Sequence, residues 1–241
     1  MTDFIPVHEI FVSIQGEGPD VGRKAIFVRV AGCTYRCPWC DSSRTWTLNG
    51  SKKYSPEELY KVLIETSKKS KVNYVVLTGG NPCMYDFTDV IKPCLDEGLE
   101  FAVETQGDLY PTWMGYLRTV VLSPKAPSSG QPDVYDKVSH YLEDIMAMLP
   151  KVIAIKIPVF GEEDMEFVEK YYNLIKSCHT TSDVRLYLSV GNDNVQEEGD
   201  ISPRILAKYH ELIDRVLESD MEDVYVLPQL HTLVWGNKAG V

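Results

Sequence analysis

No stretch of this chain stays apolar for the roughly 18 residues that a membrane-crossing helix needs. The opening residues, MTDFIPVHEIFVSIQGEG, lack the basic segment and following apolar segment of a secretion signal. Low-complexity tracts, short internal repeats and long Gly/Ser linkers are missing too. Positive charge is scarce: 24 Lys and Arg stand against 35 Asp and Glu, a formal net charge of -11. That balance excludes an extended surface for nucleic acid or an anionic membrane, although local arginines can still hold a small anion. The expectation is a cytoplasmic protein, in which cysteines stay reduced.

The 241 residues are 44% hydrophobic, enough for one sizeable core, so residues 1–241 are expected to form one domain. Nearly continuous apolar, β-branched runs predict strands over 25–32, 72–80, 99–107, 119–125, 152–160, 183–190 and 224–230. Helical periodicity predicts helices over 55–69, 136–149, 162–178 and 202–218. The first of these starts at Ser55 and Glu58 in a capping-box pattern, with Pro56 at the first helical position. Strand–helix alternation implies βαβ units and a parallel sheet, open or closed into a barrel. Such folds act at the C-terminal ends of their strands. Those ends carry Gly32-Cys33, Thr78-Gly79-Gly80, Glu104-Thr105-Gln106 and Ser123-Pro124-Lys125.

A fourth nearby cysteine is missing from AGCTYRCPWCDSS, where Cys33, Cys37 and Cys40 are spaced C-x3-C-x2-C. Thiolates bind zinc or iron–sulfur clusters. A [4Fe–4S] cluster held by three cysteines keeps one iron open, and that iron can chelate the amino and carboxylate groups of S-adenosylmethionine. The competing readings are a zinc knuckle completed by a distant ligand and a disulfide. Cys83, Cys94 and Cys178 offer no second C-x2-C pair, and Cys94 and Cys178 fall in predicted helices as buried thiols. Cys83, near the rim, also reads more simply as packing.

The cysteine loop, with Trp39 just before its last thiol, resembles the motif of the radical S-adenosylmethionine superfamily. That resemblance implies an α/β fold, a partial (β/α) barrel with the motif after its first parallel strand. It also implies a [4Fe–4S] cluster and S-adenosylmethionine as cofactors, with Cys33, Cys37 and Cys40 holding the cluster that generates the radical. Trp39, Cys40 and Asp41 would lie against S-adenosylmethionine. Gly79 and Gly80 match the segment whose backbone approaches the methionyl group, and Asn81 stands where Glu is commoner.

Ser13–Gly18, Gly22-Arg23, Phe27–Arg29, Glu104–Gly107, Ser123–Lys125 and Gln229–His231 further resemble the family of synthases that make 7-carboxy-7-deazaguanine for queuosine. The implied domain organisation is a barrel carrying an N-terminal hairpin extension. The implied substrate is 6-carboxy-5,6,7,8-tetrahydropterin, contracted with loss of ammonia after hydrogen abstraction at C6. Substrate-binding positions would be Ile14, Gln15, Gly16, Glu17, Arg29, Thr78, His231 and the terminal Val241. Arg29 is the candidate for the substrate carboxylate, because a mid-strand guanidinium needs a partner. Glu104, Gln106, Ser123 and Lys125 would contact the cofactor, and Ser42 would help hold Mg²⁺. A one-electron donor such as flavodoxin and a homodimer are also implied.

Several of these residues have plainer readings. Arg29 could form an internal ion pair, Glu17 and Lys125 could be solvated, Gly16 and Gly18 could make a hairpin turn, and Trp39 could be loop packing. Two other functions compete: an activase that installs a glycyl radical on a partner protein, and a zinc-binding interaction module.

Overall fold

The structure, a computed structural model, describes residues 4–147, 152–178, 184–238 and 240. Nine strands form one open sheet in the order β3-β1-β2-β4-β5-β6-β7-β8-β9, so β3 and β9 are its edges. Strands β1 (Ile5–Ile14) and β2 (Lys24–Val30) are antiparallel, with Phe11 opposite Phe27 and the register shifting between Val7 and Glu9. The short β3 (Lys52–Tyr54) pairs with the other edge of β1. From β2 onward, neighbours are parallel: β4 (Tyr74–Gly79), β5 (Glu100–Thr105), β6 (Thr119–Leu122), β7 (Val152–Val159), β8 (Val184–Val190) and β9 (Val224–Leu227). This is the expected partial barrel, and all seven predicted strands are present.

The differences have local causes. The strand predicted over 224–230 stops at Leu227, because Pro228 has no N–H to continue the ladder, and Leu230–Trp235 form helix α6. The periodicity readings also passed over β1, which only the resemblance implied as part of an N-terminal hairpin, β3, which is three residues long and mostly charged, and α2 (Thr88–Asp96), which carries Pro93 inside it. The other helices are α1 (Pro56–Ser70), α3 (Tyr135–Ala147), α4 (Glu162–Ser177) and α5 (Ser202–Glu218). Residues 148–149 of one predicted helix and Asp183 of one predicted strand lie outside the described residues. The capping box on α1 forms both ways, Ser55 Oγ accepting from Glu58 N and Glu58 Oε2 from Ser55 N, a device that contributes about 1 kcal/mol.

Alternation along the strands sorts the side chains. In β2, Ile26, Val28 and Val30 are fully buried on one face, while Phe27 and Arg29 take the other. In β7, Ile155 and Ile157 join the main core, whereas Ala154 packs with Val121 and Tyr187 in a small second cluster on the opposite face. Above that small cluster the concave face is not filled by side chains. It opens into a cavity bounded by Arg29, Thr78, Glu104, Lys156 and Ser189. Among the described residues, no helix is long and apolar enough to cross a membrane.

Candidate active site

The cavity collects Ile14, Gln15, Gly16, Glu17, Arg29, Thr78 and His231 on one side and Trp39, Cys40, Asp41, Gly79, Gly80, Glu104, Gln106, Ser123 and Lys125 on another, with Cys33, Cys37 and Ser42. Every site residue nominated from sequence lines it except Val241, which lies outside the described residues. The parallel register explains much of this, since Arg29 of β2 sits beside Thr78 of β4, and Glu104 and Lys156 follow on β5 and β7.

The three loop thiols are free, Cys37 buried and the other two half-buried. Cys33 Sγ accepts from Tyr35 N at 3.4 Å and lies 3.8 Å from Gln106 Oε1. Burial pushes the Cys37 thiol up, and burial followed by the adjacent Asp41 charge pushes Cys40 up to about 11. Such thiols are poor free nucleophiles, and a metal that binds them takes the place of their protons. Among the described residues, no three His, Cys, Asp or Glu side chains converge on a point that would hold one metal ion. Three thiols spread along one loop fit a four-iron cluster, which takes one thiolate at each of separate irons. Cys83 and Cys94 are buried in the core, their thiols raised to about 12 by burial, and Cys178 is half-buried just past the end of α4.

The glycine pair after β4 has a requirement of its own. A Cβ on Gly80 would lie 1.9 Å from the Gly32 carbonyl oxygen, and one on Gly79, whose φ is +107°, would lie 2.6 Å from Val30 backbone. The glycines therefore let the end of β4 close onto the loop that carries Cys33, with Gly80 N bonded to Val30 O and Asn81 N to Gly32 O. Asn81 itself is fully buried. Its Nδ2 donates to Asp108 Oδ1 at 2.8 Å, and its Oδ1 accepts from Thr105 Oγ1 at 2.8 Å and Cys83 N at 3.2 Å. A glutamate at 81 would bring a carboxylate against Asp108, so the amide is the residue this neighbourhood accepts. Asn81→Ala should leave these partners unsatisfied and lower unfolding free energy by about 2–3 kcal/mol, read as a lower midpoint in urea.

Trp39 stacks on Phe160 with centroids 4.7 Å apart and donates from Nε1 to Ser128 O, leaving part of its ring on the cavity. Lys125 donates to Ser123 Oγ and is held inside the cavity wall, where burial lowers its pKa, so it is not a solvated rim charge. Arg29 donates from Nε to Glu9 Oε1 (2.7 Å) and from Nη1 to Ser42 Oγ (2.8 Å), and Glu9 also takes Arg44. The internal ion pair considered for Arg29 therefore exists, yet its Nη2 makes no hydrogen bond among the described residues. The C-terminal helix reaches back, Leu230 N bonding to Gly16 O. A Cβ on Gly16 would sit 2.8 Å from His231 Nδ1, and His231 Nε2 lies 3.7 Å from Asp41.

Sequence reasoning missed Lys156, Phe160 and the cavity role of Gln229. The signal for Lys156 was present: it is the one charged residue in the run VIAIKIPV, and a lysine there needs a partner. Lys156 contacts Glu17 and lies 3.2 Å from Glu104, while Gln15 Nε2 donates to Glu104 and Gln229 Nε2 to Glu17. Glu17 is thus neither solvated nor loose.

A family profile described as the Radical SAM superfamily matches residues 27–161. A 7-carboxy-7-deazaguanine synthase from Bacillus subtilis (strain 168) is 37% identical, with 100% of each chain covered. One from Bacillus cereus is 36% identical, covering 98% of this chain and 99% of that one. A solved structure, the crystal structure of QueE from Escherichia coli, superposes with a TM-score of 0.65 over 95% of each chain, at 22% identity, and supports the fold. The superfamily brings with it a [4Fe–4S] cluster and S-adenosylmethionine, which the three open thiols and the adjoining cavity fit. By cysteine loop, cavity and full-length similarity, this chain belongs to the 7-carboxy-7-deazaguanine synthase family of radical S-adenosylmethionine enzymes.

Proposed function

We propose that this chain carries out its family's ring contraction on 6-carboxy-5,6,7,8-tetrahydropterin, with the carboxylate end of the substrate at Arg29 and the pterin edge at Gln15, Glu17 and Glu104. The observation that carries this reading is the single cavity in which a three-thiol loop faces an arginine and two carboxylates. When bound, the cluster and S-adenosylmethionine supply a 5′-deoxyadenosyl radical. The protein's part is restraint. Arg29, fixed from two sides by Glu9 and Ser42, presents Nη2 as a donor for a carboxylate. Gln15 and Glu17 present acceptors to ring N–H groups, and the β-strand scaffold holds C6 as the position offered to the radical.

Ser42 would supply one oxygen to a Mg²⁺ shared with the substrate carboxylate. Its hydroxyl is buried at the cavity wall and already oriented by Arg29, and oxygen donors with waters suit that hard cation. Val241 would close over the pterin, a one-electron donor such as flavodoxin would reduce the cluster, and the working form would be a homodimer.

The reading is tested by what happens to S-adenosylmethionine. In the wild type, product should accumulate in excess of cofactor consumed, and only when the tetrahydropterin is present. Arg29→Ala should retain its iron but lower kcat/KM for product about a hundredfold, and should release 5′-deoxyadenosine out of proportion to the product formed. Cofactor cleavage that ignores the pterin in the wild type would favour the glycyl-radical activase instead.

A further inference from the structure

Lys156 lies in the middle of β7, is 6% exposed, and no step of the radical chemistry calls for it. Its ammonium contacts Glu17, from the turn after β1, and lies 3.2 Å from Glu104 Oε2, at the end of β5. Each carboxylate gives its other oxygen to an amide: Gln229 Nε2 donates to Glu17 Oε1 at 2.6 Å, and Gln15 Nε2 to Glu104 Oε1 at 2.8 Å. An ionised carboxylate is acceptor-only, with about four lone-pair sites, so each keeps acceptors beyond its two protein partners. Both carboxylates line the cavity.

Two carboxylates this close in a half-buried wall would repel, and without a cation they would share a proton. One oxygen would then become an O–H donor. The lysine prevents this. Burial alone would lower its pKa, but Glu104 and Glu17 outweigh burial and raise it, and the ammonium in turn draws Glu17 below the ordinary carboxylate range against burial. Lys125 and His231 also face this cluster, from the segment after β6 and from α6, but neither hydrogen-bonds to Glu17 or Glu104 among the described residues.

We propose that Lys156 is a positioning and specificity-determining residue: by pairing with both Glu17 and Glu104 it keeps the two carboxylates acceptor-only, so that they select ligands presenting an N–H donor edge. It rests on the ring-contraction reading, in which that edge is the amino-substituted edge of the pterin.

The test uses the full-length, cluster-loaded protein under anaerobic conditions. Calorimetric binding is measured for 6-carboxytetrahydropterin and for its 2-oxo counterpart, which lacks the amino donor. Wild type should prefer the pterin by about a hundredfold, the worth of a hydrogen bond to a charged group. Lys156→Met should cut that preference to below about tenfold. Pterin affinity in Lys156→Met should recover as pH rises and the shared proton is lost, relative to the wild-type profile over the same range. Lys156→Arg should retain the preference, and Lys156→Gln serves the comparison where the Met variant does not fold. Equal weakening of both ligands with an unchanged ratio and no pH-dependent recovery would overturn the role of Lys156 alone. A wild type that binds neither ligand would overturn the ring-contraction reading and this proposal with it.

Discussion

Cys37→Ala should remove the iron–sulfur cluster and lower turnover by at least about a thousandfold, equivalent to about 4 kcal/mol of barrier. Cys37 is the middle thiol of the loop and its most buried one, 5% exposed. Cys33 and Cys40 are tied down separately, Cys33 next to Tyr35 and Gln106 and Cys40 by a backbone bond to Cys37 O. Two remaining thiolates cannot hold three irons, so the loss should be of the cluster and not of one contact. Loss of a small side chain from the loop should cost about 1 kcal/mol of stability, which separates cluster loss from unfolding. Iron content, visible absorption and a urea melt on the same sample make that separation. Cys94→Ala is the control: that thiol is fully buried in α2, away from the cavity, and the variant should keep its iron and its activity.

Gly80→Ala is the second large effect, and it acts through the backbone. The new Cβ would meet the Gly32 carbonyl oxygen at 1.9 Å and its carbon at 2.6 Å, neither of which can rotate away. The end of β4 would have to leave β2, breaking the Gly80–Val30 and Asn81–Gly32 bonds that fix the start of the cysteine loop. A loss of about 3 kcal/mol or more is expected, with iron occupancy falling alongside. Gly161→Ala should lie within about 0.5 kcal/mol of wild type. No atom lies within 4 Å of a Cβ there, and its φ of -169° suits any residue. Equal stability of the two variants, by thermal melt, would contradict the close approach of β4 to the loop.

What the sequence made legible divides along physical lines. Period-two and period-3.6 patterns are local, so seven of the nine strands of this sheet and four of the helices were readable, as was the rim on which their C-terminal ends converge. Cysteine spacing was readable because its chemistry demands three ligands and a vacancy. Partners across the sheet were not. Nothing local pairs Lys156 with a glutamate 139 positions earlier in the chain, or Arg29 with Glu9 and Ser42 at once. Glycines 79 and 80 were legible as places of close backbone approach, but their packing against Val30 and Gly32 was not. Asn81 is a departure from the superfamily's usual glutamate, and its partner Asp108, 27 positions on, was not legible beside it.

The most direct test of the whole account is anaerobic turnover of the reconstituted wild type with S-adenosylmethionine, a one-electron reductant, Mg²⁺ and 6-carboxy-5,6,7,8-tetrahydropterin, followed by mass spectrometry. Formation of 7-carboxy-7-deazaguanine with release of ammonia, over several turnovers per cofactor consumed, is the predicted result. A protein with its cluster verified that cleaves S-adenosylmethionine yet leaves the pterin unchanged would contradict it.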